Sequence, residues 1–169
     1  MNLKILPSLN LLSLILWGVK FMFQEMLEKI QNKELNLEQE LERALEFFKQ
    51  LQAEQKLDET REELDKIIEE QKELTKKTED KNQPKDSLAS DQGKLNDKFQ
   101  KFQEDLRDAK EMNQDLKSPS SMEDTSGEEE SVNEEQKSSK ENLENNKRKK
   151  SKESQKNATQ QMEQISKKL

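Results

Sequence analysis

Up to Leu116 the apolar positions of this 169-residue chain fall into three main sets, and a weaker one follows in the tail. The first, Leu3 to Phe23, is nearly continuous and reads LKILPSLNLLSLILWGVKFMF. The second lies in residues 24–82, where apolar residues recur at threes and fours among Glu, Lys and Gln. Leu37, Leu41, Ala44, Phe48 and Leu51 are spaced 4, 3, 4 and 3, the repeat of a helix-packing seam. Leu57, Leu64, Ile67 or Ile68, Gln71 and Leu74 form another. The third set is Leu95, Phe99, Phe102, Leu106 and Ala109, again at 4, 3, 4 and 3, with Leu116 one heptad further on.

The two seams of residues 24–82 do not share a register. At about 100° per residue, with Leu51 at zero, Leu37 to Leu51 average near 40°. On the same wheel Leu57, Leu64, Ile68 and Gln71 average near 230°, so the stripe changes face at Gln52–Lys56. Either the chain turns back there, or one helix continues and meets different partners on opposite faces. No turn residue is present, which favours the continuous helix. No Pro or Gly occurs between Val19 and Pro84, and the good helix formers Glu, Lys, Gln and Leu dominate. Glu25–Lys29, Glu62–Lys66 and Glu73–Lys77 add i,i+4 support.

Pro84 forces Gln83 out of the helical region and ends this rod. Gly93 is expected to delay the next helix, and Ser118-Pro119 to stop it. The expected fold class is all-α: elongated helices, as a coiled coil or an antiparallel helical hairpin, with a disordered acidic linker. The expected organisation is an apolar segment (1–23), a helical rod (24–82), a breaker (83–93), a second helix (94–117), the linker (118–139) and a basic tail (140–169). The linker assignment rests on SPSSMEDTSGEEESVNEEQKSS, in which Val132 is the one β-branched aliphatic residue and no aromatic occurs. The tail carries a weak helical seam at Ala158, Met162, Ile165 and Leu169.

Composition sharpens this. Only 28% of residues are hydrophobic and 40% are charged, with a net charge of −7. Ordinary domains run at about 45–50% apolar and about 25% charged. The charge is blockwise: 11 basic and 18 acidic groups in 24–82, 1 and 7 in 118–139, 9 and 4 in 140–169. Such blocks mark solvated helices and interaction tails. Attraction between the basic tail and the acidic rod is the simplest use of the last block.

Chemistry is removed as well. The chain has no Cys, hence no disulfide, thiolate nucleophile or zinc–sulfur site, and no His, hence no imidazole base. Glu128-Glu129-Glu130 lacks the loop spacing of a calcium site. No G-x-x-x-x-G-K-[ST] phosphate loop is present. No catalytic residue, cofactor or metal is expected.

For residues 3–23 several readings stand open. As a helix these 21 residues would reach about 31 Å, close to a bilayer's hydrocarbon thickness. Pro7, Ser8, Asn10, Ser13, Gly18 and Lys20 interrupt the run. Lys4 and the apolar stretch suit a signal peptide, but no small-residue cleavage site follows. A membrane anchor, a buried helix and a cleaved signal are the alternatives. The anchor implies a membrane-associated, cell-envelope location, and its absence a cytoplasmic one.

The run LEQELERALEFFKQLQAEQKLDETREELDKIIEEQKELTKKTED (37–80) also resembles a stretch of a domain-of-unknown-function family from Bacteroidetes, made of very long, membrane-anchored, Glu/Lys/Gln-rich helical proteins. The resemblance continues through LNDKFQKFQEDL (95–106) to the tail NNKRKKSKESQKNATQQMEQISKKL (145–169). It implies an interior segment of a longer helical protein, with no catalytic residues to carry over. It also implies charged helix at residues 1–23, where this chain is apolar, as a truncated or frame-shifted copy would be.

The resulting expectation is a non-enzymatic helical scaffold that self-associates or binds another helical protein. Its expected packing seam is Leu37, Leu41, Phe48, Leu51, Leu64, Ile68, Phe99, Phe102 and Leu106. The alternative is a peripheral binder of polyanions, nucleic acid or anionic membrane, through Lys147, Arg148, Lys149 and Lys150. An acidic chain without aromatic stacking platforms makes nucleic acid the weaker of these partners.

Overall fold

The computed structural model describes residues 8–169, the side chains of 8–12 excepted. The start of the expected apolar segment, residues 1–7, lies outside the described residues. The fold is all-α, with no strand among the described residues. The helices are α1 (Ser8–Glu79), α2 (Lys85–Gln114), α3 (Ser126–Glu144) and α4 (Arg148–Lys168). The chain divides into two units, Met1–Phe47 and Phe48–Leu169. In the first, the described residues form turns of α1, and side chains from Ser13 to Leu45 are exposed. Among the described residues no helix is long and apolar enough to cross a membrane.

α1 runs through Gln52–Lys56 without a turn, as the absence of turn residues predicts. It extends further toward the N-terminus than the expected rod, because the apolar stretch and the charged stretch are both helix formers with no breaker between them. The real breaker is Asp80–Pro84, shorter than the expected 83–93. Asp80 accepts the Asn82 backbone N–H at 2.9 Å, and Pro84 sits extended just ahead of α2. Gly93 does not delay that helix. Glycine costs a helix interior about 0.5–1 kcal/mol, and the burial of Leu88, Ala89 and Gln92 on the same turns outweighs it.

The second unit is a four-helix bundle with each neighbour antiparallel. Glu63 and Glu70 of α1 pair with Lys101 and Lys98 of α2, so one numbering rises as the other falls. Asp65 and Lys72 of α1 meet Ser166 and Glu163 of α4 in the same sense. Gln103 of α2 bonds Glu129 of α3, and Lys85 reaches the Glu144 carbonyl at the other end. Asn157 of α4 bonds Glu135 of α3. The core is one apolar cluster in which Leu64, Phe99, Phe102, Val132, Leu143, Met162 and Ile165 are fully buried. The Phe99 and Phe102 rings lie 5.4 Å apart.

α3 corrects the expected disordered linker at 118–139. Its buried positions are Val132, Gln136, Ser139 and Leu143, spaced 4, 3 and 4. The seam exists, but half of it is polar. Its acidic charge is also answered in place. Glu128 and Glu129 occupy the first turn, where the helix dipole favours anions. Lys168 of α4 pairs with Glu128 at 2.6 Å, and Lys110 of α2 lies 3.7 Å from Glu129. Asp124 accepts the Ser126 backbone N–H just before the helix. Two residues past the end of α3, Asn146 takes a φ of 57°, one that asparagine tolerates. Its N–H bonds the Leu143 carbonyl and that of Lys147 bonds Asn142, closing a C-terminal cap.

A polar cluster crosses the bundle. The Gln71 and Gln92 amides bond each other reciprocally at 3.1 and 3.0 Å. Gln92 Oε1 also accepts from Ser139 of α3 and Gln155 of α4. Gln136, also buried, has neither amide atom paired. Two glutamines of one core therefore predict opposite results. Gln92→Met takes both partners from the Gln71 amide and the partner from Gln155 Nε2, while Ser139 keeps Ser151, and lowers stability by about 1–3 kcal/mol per group left unpaired. Gln136→Met removes an unpaired amide and raises stability by an amount of similar order. Urea unfolding of both variants checks the pair of signs.

The ion pairs set a pH window. Lys152 beside Glu79 holds that carboxyl below its ordinary 4.5, and Lys168 does the same for Glu128. The Ser126 backbone N–H and hydroxyl hold Asp124 below 3.8. A carboxyl lowered on folding stabilises above its unfolded value, and the gain is lost as pH falls through the folded one. Asp105 raises Lys56 above 10.5, and Glu69 and then Glu163 raise Lys72. Raised lysines stabilise below 10.5 and lose that gain as pH rises through their folded values. The melting temperature is expected to plateau across neutral pH and to fall on both sides. Thermal melts from acid to alkaline pH measure this.

Candidate interaction surface

The structure separates the nine expected seam residues into two groups. Leu64, Ile68, Phe99, Phe102 and Leu106 are buried in the bundle. Leu37, Leu41, Phe48 and Leu51 lie on α1 in the open, Leu37 at 68% and Leu41 at 70% exposure. The expected antiparallel hairpin is present as α1 and α2, and its seam is Leu64–Leu74 against Leu88–Ala109.

The exposed group is part of a longer stripe. Along α1, Leu16, Val19, Phe23, Met26, Ile30, Lys33 and Leu37 follow at 3, 4, 3, 4, 3 and 4. One extra spacing of four joins them to Leu41, Ala44, Phe48 and Leu51. At about 100° per residue these positions fall within about 60° of one line on the helix. Lys33 is the one charged residue among them. Leu14, Trp17 and Phe21 lie on the far side of the helix, so apolar surface surrounds it there. The Trp17 and Phe21 rings stack at 6.1 Å. Off the stripe Leu27, Leu35, Leu45 and Phe47 are also exposed, and they share those faces with charge, Lys29 pairing Glu25 at 2.9 Å. The boundary between the apolar segment (1–23) and the rod (24–82) divides Val19 and Phe23 from Met26 and Ile30 and conceals their common phase with Leu37–Leu51. The spacing itself was the available signal.

No known protein family, curated protein or solved structure matches this chain.

The basic cluster serves the bundle in part. Arg148 donates to the Asp80 carbonyl at 2.7 Å and also to that of Gln83, clamping the α1–α2 turn. Lys152 pairs with Glu79. The attraction between tail and rod thus takes the form of an α1–α4 ion pair and an arginine held by backbone carbonyls. Lys147, Lys149 and Lys150 are exposed. Among the described residues, no group of His, Cys, Asp or Glu is placed to hold a metal ion.

Proposed function

We propose that this chain is a non-enzymatic helical interaction protein, a scaffold or spacer that joins copies of itself or another helical protein through the stripe on α1. One observation carries the reading. Large apolar side chains from Leu14 to Leu51 are exposed along α1, while the bundle buries its own. A continuous apolar surface of this length is a protein or membrane contact rather than ordinary solvent-facing surface. The absence of His and Cys from the sequence agrees with a role that performs no reaction.

Light scattering on the full chain after size exclusion tests the reading. The expected mass is a multiple of the 19.9 kDa monomer, falling toward the monomer when Leu41 and Phe48 are both replaced by Ser. A 19.9 kDa species that persists at the highest soluble concentration would remove self-association from the proposal.

A further inference from the structure

We infer that the occupant of the α1 stripe is the same stripe of a second copy, running antiparallel about a two-fold axis at Leu37. This rests on the reading of the stripe as an association surface. From Phe23 to Leu51 the stripe is about 42 Å long. It presents seven large apolar side chains per copy. At about 80 Å² each, two copies would remove about 1,100 Å² from water, just above the roughly 1,000 Å² that a specific interface needs.

Charge selects the direction. Residues 29–33 hold Lys29 and Lys33 and no acid, while residues 34–46 hold five Glu and one Arg. Parallel pairing in register stacks Lys33 on Lys33 inside the seam and lays one acidic block along the other. Antiparallel pairing brings together positions equidistant from Leu37: it sets Glu34 near Glu40 and Glu28 near Glu46, but it separates the two Lys33 side chains and sets Glu25 near Lys49. Lys33 then shares a layer with Leu41 of the second copy, beside its Glu38 and Glu40. Size matches in the same register: Ile30 meets Ala44, Met26 meets Phe48, and Phe23 meets Leu51. A single charged residue in an otherwise apolar seam is a known device for fixing register and direction.

The chain's lack of cysteine makes the arrangement directly testable. Three full-length variants, Leu37→Cys, Ile30→Cys and Ala44→Cys, are oxidised with glutathione and run on non-reducing gels. Leu37→Cys is expected to cross-link to itself. Ile30→Cys and Ala44→Cys are expected to stay single alone and to form a mixed disulfide when combined. All three positions are exposed, so an unchanged thermal melt verifies the bundle in each variant. Self-cross-linking of Ile30→Cys and Ala44→Cys, without a mixed product, overturns the direction in favour of a parallel pair. No cross-link in any variant, with light scattering still showing an assembled chain, overturns this pairing and leaves the association surface standing. A monomer by light scattering overturns both.

Discussion

Phe102→Ser is expected to abolish the cooperative melt of the bundle and most of its helical signal. Phe102 is fully buried against Phe99 at the centre of the core. Emptying a buried phenylalanine site costs about 3–5 kcal/mol. The new hydroxyl, left without a partner, adds about 1–3 kcal/mol. Domains of this size are stable by only about 5–15 kcal/mol. This bundle also spends core volume on Gln71, Gln92, Gln136 and Gln155, which places it toward the low end. Phe47→Ser is the control, because Phe47 is 62% exposed. A surface change of that kind stays within about 0.5 kcal/mol. Circular dichroism melts of the two variants decide the point. A Phe102→Ser melt within a few degrees of the parent would refute the core assignment.

The double variant Leu41→Ser/Phe48→Ser is expected to do the reverse, leaving the bundle folded and dispersing the assembly. Each apolar side chain removed from an interface forfeits about 1.5–3 kcal/mol. In a dimer the two substitutions act four times, so the loss is at least about 6 kcal/mol, or about a ten-thousandfold weaker association. Sedimentation velocity at a fixed concentration reads this directly. The expected result is a shift to monomer with an unchanged thermal melt. An unchanged sedimentation coefficient would show that Leu41 and Phe48 do not carry the contact. Because Phe102 lies in the bundle and Phe48 in the open, the two variants separate folding from association.

The α1–α2 hairpin was legible because Leu64, Ile68, Phe99, Phe102 and Leu106 are apolar at helical spacing on both sides of Pro84. α4 was half legible through Ala158, Met162 and Ile165, although its other buried positions are Ser151, Ser154, Gln155 and Thr159. α3 was not. Two of its four buried positions are Gln136 and Ser139, and its acidic composition reads as solvated chain until Lys110 and Lys168 arrive from other helices. A hydropathy pattern measures apolar burial and is blind to a core that closes with amides. The same blindness hid the Gln71–Gln92 pair, although Gln71 holds a seam position. On the exposed face the difficulty was phase. Val19, Phe23, Met26 and Ile30 keep the register of Leu37 to Leu51, but Val19 and Phe23 sit in a dense apolar run that masks its own periodicity.

Hydrogen exchange of the full chain at two concentrations, the lower diluted at least a hundredfold, separates a bundle that holds itself together from a helix held by another chain. In the proposed arrangement residues 57–165 are the first and residues 23–51 the second. Amides of the bundle are expected to show the same protection at both concentrations. Amides of 23–51 are expected to be protected in the assembled sample and to lose that protection on dilution, as an isolated helix without tertiary packing does. Protection of 23–51 that is identical at both concentrations would contradict the account.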